Sequence, residues 1–348
     1  MNKKIGVVIL TIIFMMNSTA CGTKKISRYE AEFLLLFDTL TKIVAYTDSK
    51  EEFTRYSQLI YDNLKRYHEL YDIYNNYDGI NNIKTINDNA GIAPIKVDKE
   101  IIDLLLFAKD WCKKTEGKKN VALGAVLKIW HDYRTAGVED PENAELPPMD
   151  KLKAAAKHTD INKVIINEAE STVFLDDPDM SLDVGAFAKG YAVEKVSQIA
   201  IENGFTSGLI SVGGNIRAIG SKGENNKPWN VGIQNPDMDS EQSELHIVNL
   251  TDLSLVTSGI YERFYTVNGK NYHHIIDPDT LFPTENFTAV TIICKDSGMA
   301  DALSAAVFNM PFEQGLKFIE DLPDTDALWV LNDGEMKYSS GFKDFIKE

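Results

Sequence analysis

One segment most constrains how this chain can fold: Ser181-Leu-Asp-Val-Gly-Ala-Phe-Ala-Lys-Gly-Tyr-Ala-Val-Glu-Lys-Val196. An extended stretch runs into a long helix here, through a turn of small residues. Val184-Gly185-Ala186 leaves little side chain in the way, so a ligand can reach the backbone. The free N–H groups of the new helix favour anions. Asp183 is placed to orient a polar group or help hold a cation, and Lys189 to face a phosphate. An ordinary strand-to-helix turn with a surface lysine accounts for the same residues.

Around this turn, strands and helices are interspersed. There is no strict βαβ repetition, no internal repeat and no proline-rich linker. That pattern predicts one α+β domain, with a central mixed or antiparallel sheet flanked by helices, over residues 31–348. Residues 33–46 read as a first strand. Residues 51–71 read as a helix, with Phe53, Tyr56, Ile60, Leu64, Tyr67 and Leu70 on one face. A polar loop spans 74–89, long enough to carry function. Helices follow over 98–115, 124–134 and 149–157, then a hairpin of 164–166 with 172–175. The long helix covers 187–202, and 208–267 is β-dominated. A strand at 289–294, helices at 300–309 and 312–319, and a hairpin of 327–331 with 336–338 complete the chain.

The chain has 348 residues and a formal charge of −16. Such acidity argues against nucleic-acid binding, which needs clustered Lys and Arg. An anionic ligand must therefore find local help from a metal ion, a lysine or a helix N-terminus. At the amino terminus, Lys3 and Lys4 precede the apolar run Ile5 to Met16 and then Ser18-Thr-Ala-Cys21. The run suits a signal peptide over 1–20 rather than a membrane span. Small residues before Cys21 resemble a bacterial lipobox, although Ser18 stands where leucine is usual. Lipidation at Cys21, a tether over 21–30 and an extracytoplasmic, membrane-anchored protein are expected. A plain secretory signal with an incidental cysteine is the other reading. Cys112 and Cys294 fit no zinc spacing and read as small buried hydrophobes.

Several polar residues have chemistry to offer. Asp301 stands near the start of a helix in Met299-Ala-Asp, where it fits an N-terminal cap or an oxygen ligand for Mg²⁺. His274 is the natural general base near neutral pH, or else a histidine bonded to a neighbouring strand. Strand alternation then turns His273 outward. Asp277 before Pro278 fits a turn. Arg263 fits a phosphate contact or a structural ion pair.

Five motifs occur in order: Asp183-Val-Gly-Ala-Phe-Ala-Lys189, Ser211-Val-Gly-Gly-Asn-Ile216, Thr257-Ser-Gly-Ile-Tyr-Glu-Arg-Phe264, Asn271-Tyr-His-His-Ile-Ile-Asp-Pro-Asp-Thr280 and Ser297-Gly-Met-Ala-Asp-Ala-Leu-Ser-Ala-Ala-Val-Phe308. Together they resemble the ApbE family, FAD:protein FMN transferases that are often lipid-anchored. The resemblance implies Mg²⁺-dependent transfer of FMN from FAD to a Ser or Thr hydroxyl of an acceptor flavoprotein, with release of AMP. Hydrolysis of FAD to FMN and AMP, or flavin binding without catalysis, are its alternatives. It also implies a divalent-cation site at Asp301 with carbonyl oxygens of Ala186 and Ala305. Nucleotide contacts are implied at Asp183, Lys189, Ser258, His274 and Ile275, and flavin-ring contacts at Phe37, Tyr74 and the segment Lys119-Asn120-Val121, through its backbone and Asn120. His274 would serve as the base. The turn Gly213-Gly214-Asn215 would support the site from behind. Two departures stand out. Ala305 replaces the family's usual threonine, removing a hydroxyl ligand. Lys119-Asn-Val-Ala-Leu-Gly124 replaces the usual Phe-Asp-x-Thr-x-Gly.

Overall fold

The computed structural model describes residues 26–223 and 226–348. The expected signal peptide, Cys21 and the first part of the tether lie outside the described residues. In chain order, the hairpin β1 (Ser27–Leu36) and β2 (Thr39–Thr47) leads into α1 (Lys50–Tyr71) and the short α2 (Ile83–Asp88). Then come β3 (Ile95–Lys96), α3 (Lys99–Lys114), α4 (Gly124–Glu139), α5 (Met149–Ala155), β4 (Val164–Asn167) and β5 (Thr172–Leu175). The long helix α6 (Gly185–Glu202) is followed by β6 (Gly208–Val212), β7 (Asn215–Ile219), β8 (Trp229–Gln234), β9 (Glu244–Leu250) and β10 (Ser254–Gly259). The hairpin β11 (Phe264–Val267) and β12 (Lys270–His273) precedes β13 (Ala289–Cys294), α7 (Ser297–Phe308), α8 (Phe312–Glu320), β14 (Asp326–Val330) and β15 (Met336–Tyr338).

Eight strands form the main sheet, in the order β1-β2-β6-β7-β10-β13-β14-β15. Every pairing in it is antiparallel, so the sheet is antiparallel rather than mixed. One face carries α1, α6, α7 and α8 and the larger core, built on residues such as Ile43, Ile60, Leu64, Val193, Ile292 and Phe308. The other face is covered by the β8–β9 hairpin and Phe342. This is the α+β arrangement that the interspersed pattern predicts.

Helices α6 and α7 decide where chemistry can occur. α7 is buried on nearly every side, from Ser297 and Gly298 through Ala302 to Phe308. Its small residues let it lie close against α6. Gly190 marks the closest approach: a Cβ there would fall 2.3 Å from Asp301 Cβ and 2.4 Å from the Ser297 carbonyl. A buried ion pair secures the same junction. Arg217 Nε on β7 lies 3.4 Å from Glu194 Oε2 on α6, and that oxygen also accepts from the Ser297 N–H at 3.0 Å.

Local corrections follow from turn chemistry. The single strand expected over 33–46 is a hairpin. Leu36 pairs with Thr39, and the two-residue loop Phe37-Asp38 has φ of +54° and +52°. Positive φ at both central positions is the hairpin-compatible turn, usually signalled by Asn-Gly. Phe37 therefore sits in a turn, not in a strand. The polar loop 74–89 contains α2, started by a reciprocal cap between Asn82 and Thr85. Helix α6 starts at Gly185, two residues earlier than expected. Among the described residues, no helix is long and apolar enough to cross a membrane. Cys112 and Cys294 are free and buried.

Candidate active site

Asp301 lies in the second turn of α7. The cap is Asp296, whose side chain accepts from the Met299 N–H, so Asp301 does not cap the helix. Its carboxylate is buried, at 6 % exposure, and Oδ2 accepts from the Gly190 N–H at 2.8 Å. Helix geometry aims that same N–H at the carbonyl of Ala186, four residues earlier. One amide thus gathers the Asp301 carboxylate and the first turn of α6. Ala305 lies one turn beyond Asp301 on the same face of α7. A single carboxylate with main-chain oxygens is a donor set that suits a hard divalent cation, so the donor chemistry of Asp301 with main-chain oxygens of Ala186 and Ala305 is compatible with the expected metal.

Asp183 stands two residues before α6, next to its cap Val184. Its N–H donates to the Val121 carbonyl at 2.8 Å, and its Oδ1 accepts from the Gly185 N–H at 2.8 Å. Burial raises its pKa; the Gly185 N–H, His131, Lys119 and Lys189 act the other way. Val121 is fully buried. The Asn120 amide is committed on both sides, donating to the Thr159 carbonyl at 2.9 Å and accepting from the Ala122 N–H at 2.9 Å. Any flavin contact from this segment therefore runs through its backbone.

His274 follows directly after β12. Its backbone N–H and its Nδ1 both lie 3.2 Å from the Arg263 carbonyl. A carbonyl only accepts, so Nδ1 carries the proton and Nε2 keeps its lone pair. Burial, with the charges of Arg263 and Lys189, pushes the imidazole down to about 3, against the Arg263 carbonyl, which favours its charged form. The ring is neutral in the free protein. Bringing an anion to its side would raise its basicity.

His273 does not face outward. It is buried, with Nε2 2.7 Å from the Thr284 carbonyl, Nδ1 accepting from the Ile275 N–H and the ring edge-on to Phe308. Alternation holds between the two histidines, but the side opposite His274 is interior. Ile275 is buried as well. Asp277 makes the expected turn, accepting from the Asp279 N–H. Lys118 Nζ ties it down at 3.0 Å and reaches Asp279 at 2.7 Å.

The remaining candidates are fixed by contacts of their own. Ser258 Oγ lies 2.9 Å from Ser304 Oγ on α7. Tyr74 is exposed and lies on His131, centroids 5.3 Å apart and planes 35° apart. Partial loss of water around its hydroxyl raises the Tyr74 pKa although half of the side chain is exposed, and Asp183, Arg134, Arg263 and Asp38 act on the same hydroxyl. Phe37 meets His68 edge-on at 5.6 Å, and its N–H donates to His68 Nδ1. Gly213 and Gly214 form a positive-φ turn between β6 and β7, behind which the Asn215 side chain donates to the Val212 carbonyl.

Three further groups bear on these residues; His131 and Arg134 carry no family signal in the sequence, and Lys119 opens the segment that replaces Phe-Asp-x-Thr-x-Gly. His131 and Arg134, three apart on α4, bond through Arg134 Nη2 and His131 Nδ1 at 3.1 Å. Burial, with Arg263 alongside, lowers the Arg134 pKa. Lys119 is the third. It is 4 % exposed, and burial pushes its ammonium down to about 8 despite Asp301 nearby. Arg263 makes no ion pair among the described residues, and its carbonyl accepts from His274.

Two other features lie apart from this set. His158, Asp177 and Asp179 group their ligand atoms within 4.8 Å. Lys163 Nζ already occupies Asp177 at 2.7 Å, so that carboxylate has its cation. A groove of about 780 Å³ lies along His273, Lys118 and Asn309. Its walls include neither His274 nor Asp301.

Comparison with known proteins fits this geometry. The ApbE family profile matches residues 37–329. The FAD:protein FMN transferase of Treponema pallidum is 36% identical over 279 residues, covering 76% of this chain and 75% of that protein. One from Klebsiella pneumoniae is 30% identical over 282 residues, covering 81% and 84%. The crystal structure of the ApbE protein from Thermotoga maritima superposes with a TM-score of 0.80 at 30% identity, over 92% of this chain and 100% of that one. The Vibrio cholerae flavin transferase ApbE, at 23% identity and a TM-score of 0.72, shares the fold. The profile match over most of the chain, the curated relatives and the shared fold agree: the chain belongs to the ApbE family.

Proposed function

We propose that this protein is an enzyme that transfers FMN from FAD to a Ser or Thr hydroxyl of an acceptor protein, with AMP as the other product. The observation that carries the reading is the single Gly190 N–H that draws the Asp301 carboxylate to α6, together with His274, whose ring feels the Lys189 charge of the same helix and keeps its Nε2 lone pair free. The diphosphate of FAD lies against the α6 N-terminus, where the Ala186 N–H and Lys189 meet its charge, the Gly185 and Phe187 N–H groups being taken by Asp183 and Val184. The acceptor oxygen attacks the FMN phosphorus and forms the new P–O bond. The bond to the AMP oxygen breaks, and the acceptor proton passes to His274 Nε2. Ala186, Asp301 and Ala305 would hold Mg²⁺, whose charge offsets that of the diphosphate and of the leaving AMP. The flavin ring lies toward Tyr74 and Phe37.

The test is AMP release by the purified soluble domain with FAD and Mg²⁺, with and without an acceptor domain. AMP formed only with acceptor, together with a flavin-labelled acceptor, supports transfer. AMP formed equally without acceptor means hydrolysis, and no AMP in either case means flavin binding alone. The sequence Ser18-Thr-Ala-Cys21 supports the further proposal of a lipid anchor that holds the enzyme on the outer face of the cytoplasmic membrane. Cys21→Ser is then expected to release the protein from membranes or block its processing; a variant still membrane-bound and cut at the same position contradicts the anchor.

A further inference from the structure

Lys119 stands in the wall between α6 and α7, and its partners do not account for its charge. Its side chain is 4 % exposed. Nζ has one oxygen neighbour, the Asp301 carbonyl, at a long 3.4 Å, and lies 4.8 Å from the Phe187 ring centroid. Among the described residues no carboxylate comes within ion-pair distance of it. An ammonium has three protons to donate, and burying one without a paired charge is costly. The charges that act on it are Asp301, Lys189 and Asp183, the groups at the mouth of α6. The same wall lacks the hydroxyl that a threonine at Ala305 would bring to a metal.

We propose that Lys119 is the fixed cation of the diphosphate subsite: Nζ donates to a phosphate oxygen of FAD and supplies part of the positive charge otherwise required of a divalent metal. The proposal rests on the FAD reading above. It has two consequences of opposite sign. Without metal, Lys119 supports FAD binding, because hydrogen bonds between charged partners are strong. Toward the metal itself, the ammonium is a like charge close to Asp301 and weakens Mg²⁺ binding.

The experiment compares wild type, Lys119→Met and Lys119→Arg by flavin fluorescence titration, first in EDTA and then across a Mg²⁺ series. Mg²⁺ binding to the nucleotide-free protein is followed by calorimetry. Methionine keeps the length of the side chain and removes a buried charge, so Lys119→Met is expected to fold and to melt no lower than wild type. In EDTA it should bind FAD about tenfold or more weakly, the size of one charge-assisted hydrogen bond. Its Mg²⁺ affinity should rise, and Lys119→Arg should recover part of the metal-free FAD affinity. Metal-free FAD affinity within twofold of wild type in Lys119→Met overturns the assignment, and so does unchanged or weaker Mg²⁺ binding. Wild type failing to bind FAD in any condition removes the FAD reading itself, and this proposal with it.

Discussion

His274→Ala is expected to lower FMN transfer at saturating FAD by about 10²- to 10⁴-fold, the usual cost of losing a general base, with FAD affinity nearly intact. The tautomer is the reason. Nδ1 is spent on the Arg263 carbonyl, which holds the ring in place and leaves Nε2 as the only acceptor. If His274 is instead a nucleotide contact, binding weakens and the maximal rate survives. His273→Ala separates the two roles. It removes the partners of the Thr284 carbonyl and the Ile275 N–H, so it should cost stability, about 1–3 kcal/mol for an unsatisfied buried group. The transfer rate of the folded fraction should stay near wild type. A silent His274→Ala with a large rate loss in His273→Ala would move the base to the other histidine.

The pH dependence follows from the same ring. Burial pushes His274 down to about 3 in the free protein, below the ordinary value for histidine near 6.5. The sign is that of a base with a depressed folded pKa. The native state binds fewer protons than the unfolded one between those two values, so this group costs stability as pH falls from about 6.5 toward 3. His274→Ala should therefore show a shallower loss of stability over that window. The profile of kcat/KM, which reports the free enzyme, should have no acid limb near 6.5 due to His274.

Periodicity alone located most of the scaffold. The six apolar residues placed on one face of the first helix, Phe53 through Leu70, are all buried in α1. The strand expected at 289–294 is β13, with all six residues buried. The hairpin in 33–46 escaped because Phe37-Asp38 adopts left-handed φ without a glycine or asparagine to announce it. The start of α7 was misplaced for a different reason. Asp296 and Asp301 are both acids near a helix start, and only the bond from the Met299 N–H tells the cap from the site residue. At the cleft, the motifs led to Asp183, His274 and Asp301. Alternation set the two histidines on opposite sides of the strand end, but it could not say that the second side is packed against Phe308. His131 and Arg134 were illegible, and Lys119 was marked only as part of the 119–121 segment, because their placement depends on α4 and α6 meeting at one place. No local pattern in the chain carries that information.

Asp301→Asn tests the central claim, that chemistry occurs where α6 and α7 meet. An asparagine can still accept from the Gly190 N–H through its carbonyl oxygen, so the helix junction and the melting temperature should be kept. What changes is the charge: a neutral amide is a poorer ligand for Mg²⁺ than a carboxylate. Charge stabilisation by a metal is worth several kcal/mol in a transition state, so losing about 3 kcal/mol of it would slow transfer on the order of 10²-fold. The measurement is the rate of acceptor flavinylation by wild type and Asp301→Asn across a Mg²⁺ titration at saturating FAD. The account predicts a folded variant whose rate is lower by about 10²-fold at low Mg²⁺ and recovers only in part at high Mg²⁺. A folded variant that matches wild type at every Mg²⁺ concentration would contradict it and remove Asp301 from the reaction.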